Sequence, residues 1–335
     1  MVSFETVQSS NAALKNYGPN LVGVFVGGTS GIGESTARAF VKHASSPRVY
    51  LVGRSETRAS QIIEELRALN PDGQISFIKS DVSRLQDVDQ ACKEIQSKED
   101  KINLLVLSAG ILTMKGRDET DEGLDKKLSL HYYSRMRFLY NLLPQLTNAA
   151  NAAAPTPGQR SLSSVLSVLD ARGNASLILN DLSLKENYSL RNCANHAITM
   201  TSLSMEELAV SNPSTSFIHA YPGIVRTSLT RDNGMFMKAA LNAMFLLLTP
   251  MQVGLEESGE RHLYASTNPI FSPRGSKSGD VAIGSDGVQG SGSYLVGADS
   301  ATVSNQKVLE GYRADGTRAS VWKHTLDIFK GICGE

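Results

Sequence analysis

Through the first 220 residues, short apolar runs alternate with longer stretches whose apolar positions recur every three or four residues. The runs read as strands over 21–26, 48–52, 74–79, 102–107, 164–169 and 215–221, and the longer stretches as helices over 33–43, 55–70, 84–99, 121–145 and 188–210. The third helix is amphipathic, with Val88, Ala91, Cys92 and Ile95 on one face. Asn70-Pro71-Asp72-Gly73 is a turn that closes the second helix, and the Ala/Pro/Gly stretch 149–160 reads as a surface loop. Strand and helix in strict alternation predict an α/β fold, a parallel sheet covered on both faces, with no internal repeat.

After Tyr221 the pattern changes. Residues 235–248 (MFMKAALNAMFLLL) predict an apolar helix, either packed on the core or serving as a lid over an apolar substrate. The Gly/Ser-rich stretch 269–293 reads as a loop before a late strand at 293–296, and a final helix over 319–332 carries Trp322. The core is expected over 1–230, with 231–335 completing the same domain.

Composition narrows the function classes. Lysines plus arginines balance aspartates plus glutamates at 33 each, which points away from nucleic acid and from an anionic membrane surface. Three scattered cysteines, Cys92, Cys193 and Cys333, fit a reduced compartment and neither a disulfide framework nor a metal site. No apolar run reaches the roughly 20 residues of a membrane span, and the polar stretch 1–20 lacks a signal-peptide core. A cytoplasmic protein is expected.

The chemistry starts at Val26-Gly27-Gly28-Thr29-Ser30-Gly31-Ile32-Gly33, set between a buried strand and a helix. A strand running into such a turn presents free backbone N–H groups to a diphosphate. Gly27 and Gly31 permit the turn, and Gly33 permits close helix packing. The spacing G-x-x-x-G-x-G resembles the fingerprint of the short-chain dehydrogenase/reductase family, with Val26 where that family has Thr. The resemblance extends to Asp81-Val82 after the third strand, the family's adenine contact, although an Asp there equally caps a helix. It extends to Ser108-Ala109-Gly110 after the fourth strand, where the family has Asn-Asn-Ala-Gly. It also covers Tyr221-Pro222-Gly223-Ile224-Val225-Arg226-Thr227, similar to the family segment that holds the nicotinamide amide. Arg54, 21 residues after Gly33, stands where an acid would bind the ribose hydroxyl of NAD. An Arg pairs instead with a 2′-phosphate, so NADP(H) is expected, with Arg38 and Ser55 as helpers. The resemblance implies a Rossmann-type doubly wound parallel sheet flanked by helices, a single domain with a C-terminal substrate-lid extension.

The catalytic half departs from the family's Asn-Ser-Tyr-Lys. The Asn position falls on His131 in Ser129-Leu130-His131-Tyr132-Tyr133-Ser134-Arg135, and the Ser position on Leu169 or Asp170. Ser167 comes too early and by strand alternation points into the core. Tyr188 is followed four residues later by Asn192, with Arg191 beside it, and no Tyr-x-x-x-Lys string occurs in the chain. Tyr188, Asn192 and His196 share one helix stripe, and with His131 and Asp170 they are the candidate catalytic residues. His196 is either an acid/base beside the nicotinamide or a packed core histidine; His219 reads as structural. The His131–Arg135 string and the late Gly292–Val296 strand also resemble divergent family members of fungal natural-product pathways.

Three readings are open: an NADP(H)-dependent oxidoreductase on a small apolar carbonyl or alcohol in secondary metabolism, a non-redox cyclase, isomerase or dehydratase on the same scaffold, or an inactive nucleotide-binding protein. The family pairs its fourth and fifth helices into oligomers. A homo-oligomer is therefore possible here, with the C-terminal extension standing against that packing.

Overall fold

A computed structural model describes residues 1–152, 161–227, 249, 252–275, 280–303 and 307–334. Its strands are β1 (Val22–Val26), β2 (Arg48–Gly53), β3 (Gln74–Lys79), β4 (Leu104–Leu107), β5 (Ser164–Val168), β6 (Ser216–Ala220) and β7 (Ser293–Val296). They form one seven-stranded sheet in the order β3-β2-β1-β4-β5-β6-β7, every neighbouring pair parallel. The order reverses between β1 and β4, and a crevice opens there at the carboxyl ends of the strands.

Both faces of this Rossmann-like sheet are buried, so strand residues alternate between two cores rather than between core and water. Phe25, Leu104, Val106, Leu166, Ile218 and Tyr294 face one core, shared with Phe40 and Leu263. Val22, Val24, Leu105, Leu107, Val165 and Phe217 face the other, with Phe138, Leu142 and Met205.

The helices are α1 (Phe4–Ala12), α2 (Gly31–His43), α3 (Glu56–Leu69), α4 (Leu85–Gln96), α5 (Ser134–Asn151), α6 (Leu190–Ser211), α7 (Leu255–Thr267), α8 (Lys307–Ala314) and α9 (Thr317–Cys333). The apolar helix expected over 235–248 lies outside the described residues.

The structure differs from the sequence pattern in three places. The strand expected from 102 begins at Leu104, and the Asn103 side chain just before it bonds the main chain on both sides. Its Oδ1 accepts from the Val22 N–H at 2.9 Å, and its Nδ2 donates to the Leu162 carbonyl at 2.9 Å. The helix expected over 121–145 begins instead at Lys126–Leu128, capped by the Asp125 carboxylate, and passes through a π turn at Ser129–Tyr133 before α5. Helices α1 and α7 have no counterpart in the sequence pattern. α7 buries Ser258, Glu260, His262, Ser266 and Thr267, so it carries no clean apolar stripe. It meets α2 so closely that a Cβ on Gly259 would sit 2.3 Å from Ser35 Oγ. At that contact the buried Glu260 carboxylate accepts from Asn11 Nδ2 at 2.7 Å and Lys42 Nζ at 3.1 Å, and pairs with His43 at 3.0 Å.

The C-terminal helix α9 lies against α4, α5 and α6. Tyr132 Oη meets Thr325 Oγ1 at 2.5 Å and Ser204 Oγ at 2.7 Å, Tyr133 Oη meets His324 Nε2 at 2.9 Å, and Arg137 stacks over the Phe329 ring. Trp322 joins the same packing.

His219 and His262 are buried, which pushes their imidazoles down to about 3 and about 4, with the Arg135 charge adding to the effect at His219. Both are neutral in the fold and ordinary, near 6.5, in the unfolded chain. A depressed folded pKa gives stability that is present above the unfolded value and lost as pH falls. Urea midpoints measured from pH 7 downward should therefore drop between roughly pH 6.5 and 4, each group contributing up to about 1.4 kcal/mol per pH unit. A midpoint unchanged over that window contradicts this burial.

Candidate active site

The glycine turn places backbone where side chains would collide. Gly27 (φ +85°) and Gly31 (φ +60°) occupy the left-handed region. A Cβ on Gly33 would lie 2.2 Å from Ser108 Oγ and 2.6 Å from the Gly27 carbonyl oxygen, and one on Gly27 would lie 2.8 Å from Ala109 N. The turn is thus pressed against the end of β4, where Ser108 Oγ donates to the Val26 carbonyl at 3.0 Å. Ser30 stands at the N-cap of α2 without a side-chain capping bond, so the first-turn N–H groups are left to a ligand. A diphosphate fits this backbone cradle.

Above it lies a cavity of about 320 Å³. Its wall takes in Gly27, Thr29, Ser30, Gly31, Ile32 and Gly33 from the turn, Arg54 from the tip of β2, and Asp81 and Val82 after β3. It continues through Ser108, Ala109 and Gly110 after β4 to Pro222, Gly223, Val225 and Thr227 after β6. Segments separated by up to 200 residues meet here because parallel strands deliver all their carboxyl ends to one edge. The Asp81 carboxylate accepts from Ser83 Oγ at 2.8 Å. The two expected helpers of Arg54 are elsewhere. Arg38 is held by Glu34 at 2.9 Å and by Glu65, and Ser55 caps α3. Neither lines the cavity.

At the far end the wall is apolar, with Ile111, Leu130, Val168 and Leu169, and holds His131, Arg135, Asp170 and Tyr221. His131 sits in the π turn, where its Nε2 accepts the Ile111 N–H at 3.2 Å, so the ring proton belongs on Nδ1. Burial, then repulsion from Arg135, pushes its pKa down to about 3, and it is neutral at physiological pH. Asp170 Oδ1 accepts from Arg172 N at 3.1 Å and Nε at 3.3 Å.

The stripe of Tyr188, Asn192 and His196 does not reach this wall. Tyr188 lies under Lys127, whose Nζ is 5.4 Å from the ring centroid, and its hydroxyl is enclosed with burial pushing the phenol well up. Asn192 Nδ2 donates to the Asn187 carbonyl at 2.8 Å. His196 is fully buried: Nε2 accepts from Ile178 N–H at 2.9 Å and Nδ1 donates to the Leu182 carbonyl at 3.1 Å. Both ring nitrogens are used structurally. The cause is that α6 begins only at Leu190, after a loop pinned by the Asp181 carboxylate.

Arg135 is the residue that spacing did not single out. It is 2% exposed, and its guanidinium donates to Ser167 Oγ (2.9 Å) and to the carbonyls of Val168 (2.7 Å), Ala109 (2.7 Å) and Leu130 (3.2 Å). Among the described residues no carboxylate pairs with it, and burial pulls its pKa down to about 9. An arginine amid Tyr132, Tyr133, Met136 and Phe138 on an apolar helix face was the available signal. Arg135→Leu removes the donor that Ser167 Oγ and the carbonyls of Val168, Ala109 and Leu130 share. It should lower unfolding free energy in urea by about 2–5 kcal/mol; a loss below about 1 kcal/mol would contradict the clamp.

Residues 22–153 match the family model described as short chain dehydrogenase. The chain is 42% identical to Oxidoreductase AN1596 of Emericella nidulans over 97% of each chain. It is 37% identical to Oxidoreductase andH of Emericella variicolor, covering 100% of this chain and 98% of that one. With Short-chain dehydrogenase/reductase SAT2 of Stachybotrys chartarum it shares 29% identity over 97% of this chain and 96% of the relative. Among solved structures, NADPH-bound carbonyl reductase from chicken fatty liver aligns at a TM-score of 0.57 and 16% identity, covering 86% of this chain and 99% of that one. L-sorbose reductase from Gluconobacter frateurii aligns at 0.55 and 18% identity, covering 85% and 98%. At such identities the structural likeness speaks for the fold, while the full-length sequence relatives speak for descent. The chain therefore belongs to the short-chain dehydrogenase/reductase family and is an enzyme of that oxidoreductase type.

Proposed function

We propose that the protein is an NADP(H)-dependent oxidoreductase acting on a small apolar carbonyl or alcohol, in secondary metabolism. The observation that carries this is the continuity of the cavity. It runs from the first turn of α2, past Arg54, to an end walled by Ile111, Leu130, Val168 and Leu169. The dinucleotide, when bound, supplies or accepts the hydride. The chain's own part is to hold it and to orient the substrate. The glycine turn and the α2 N-terminus take the diphosphate, Asp81 and Val82 flank the adenine, and the segment from Pro222 to Thr227 takes the nicotinamide amide. Gly53 and Arg54 end β2 with no carboxylate, which favours a 2′-phosphate over a free ribose hydroxyl. The NADPH named for the carbonyl reductase and sorbose reductase neighbours supports the same choice. His131 and Asp170 are among the polar groups that line the apolar end, with Arg135 and Tyr221.

Calorimetry with NADPH and NADH tests the reading. NADPH should bind the more tightly, and Arg54→Ala should weaken NADPH on the order of tenfold while leaving NADH little changed. Equal affinity for the two dinucleotides removes the 2′-phosphate assignment. Tight NADPH binding without oxidation by any apolar ketone shifts the function to non-redox chemistry on the same scaffold.

A further inference from the structure

Reduction of a carbonyl needs a proton for the new hydroxyl, and Tyr188, which stands at the family's Tyr position just before α6, does not reach the cavity. We propose that Tyr221, at the carboxyl end of β6, donates that proton, with the guanidinium of Arg172 stacked on its ring as the stabilising cation. The inference rests on the cavity being the cofactor and carbonyl site of the proposed function.

Four observations carry it. First, Tyr221 is the one tyrosine among the described residues that line the cavity. Second, its backbone is anchored, since its N–H donates to the Val296 carbonyl at 2.8 Å just before the Pro222-Gly223 turn, where Gly223 has φ +77°. Third, the Arg172 guanidinium carbon lies 3.4 Å from the Tyr221 ring centroid, face on. Asp170, itself on the cavity wall, accepts from both Arg172 N and Nε, so the arginine is aimed and not merely near. Fourth, two competing hydroxyls lie off the cavity wall: Ser167 is buried and accepts from Arg135, and the Tyr188 hydroxyl is enclosed beneath Lys127.

The chemistry balances. As the substrate carbonyl becomes an alcohol with hydride from the reduced dinucleotide, its oxygen forms one bond to hydrogen and the Tyr221 O–H bond breaks. The phenolate left behind is more electron-rich than the phenol, so its attraction to the stacked guanidinium strengthens as charge develops. The Arg172 and Asp170 side chains are 51% and 39% exposed, so water reaches the pair and returns the proton. Alcohol oxidation runs the same transfer backwards. In the family pattern the tyrosine and its cation share one helix. Here they come from β6 and from the loop after β5, which brings them to the same cavity.

The test uses the full chain with NADPH and three ketone probes, cyclohexanone, acetophenone and phenanthrenequinone. Calorimetry first establishes NADPH binding; no binding defeats the cofactor reading itself and is distinguishable from a failure of proton transfer. With NADPH bound, Tyr221→Phe should keep wild-type cofactor affinity and KM but lose about 10²-fold or more in kcat. Arg172→Met should lose less in kcat, about tenfold, again with KM held. In parallel, tetranitromethane should nitrate Tyr221 in the free protein, and NADPH should protect it, read by peptide mass. Tyr221→Phe retaining kcat, loss of kcat in Tyr188→Phe instead, absence of NADPH protection at Tyr221, or a wild-type protein that binds NADPH yet reduces none of the probes each overturns the assignment.

Discussion

The cavity depends on one buried cation. A parallel sheet ends in carbonyls that its neighbours cannot satisfy, and between β4 and β5 these would face an apolar crevice. Arg135 answers them, donating to Ala109 at the end of β4 and to Ser167 and Val168 at the end of β5. Burying a guanidinium without a carboxylate is unfavourable by itself. Several carbonyl dipoles converging on one planar fork offset that, and Arg does this better than Lys because five donors sit in a fixed plane. Burial, with the same charge adding to it, keeps His131 and His219 neutral.

Arg135 reaches those carbonyls because of the turn that precedes it. The π turn at Ser129–Tyr133 widens the helix by one residue per bond, which rotates the succeeding residues by roughly 100° relative to an unbroken α-helix. His131 and Arg135 then both border the crevice, while Tyr132 and Tyr133 turn inward to meet Thr325, Ser204 and His324. Those inward contacts belong in large part to α9. The C-terminal helix thereby covers the α4–α6 face with this chain's own residues, and links the outer packing to the turn that forms the site.

The polar core on the other face follows a different logic. α1, α2 and α7 are joined by the Glu260 carboxylate, held well below its usual range, to about 2, chiefly against its own burial, by His43, Asn11 and Lys42. With Gly259 pressed on Ser35, the α2–α7 contact fixes the helix whose N-terminus faces the cavity.

Much of this was legible in the sequence. Strand periodicity located six parallel strands and the late seventh to within two residues, because a strand buried on both faces must be apolar along its whole length. The glycine spacing, Arg54, Asp81 and Thr227 marked residues that the fold brings to one cavity, because parallel strands deliver their carboxyl ends to one edge. Other features were decided only by tertiary structure. Helices α1 and α7 form because buried carboxylate and hydroxyl partners satisfy their polar faces, which no apolar period records. Of the expected stripe only Asn192 and His196 are helical, because the helix starts at Leu190 and leaves Tyr188 in the preceding loop. Arg135, Arg172 and Tyr221, 37 to 86 residues apart in sequence, come together only once the ends of β4, β5 and β6 share one edge of the sheet. Local propensity writes the elements, and long-range packing decides which of their faces meet.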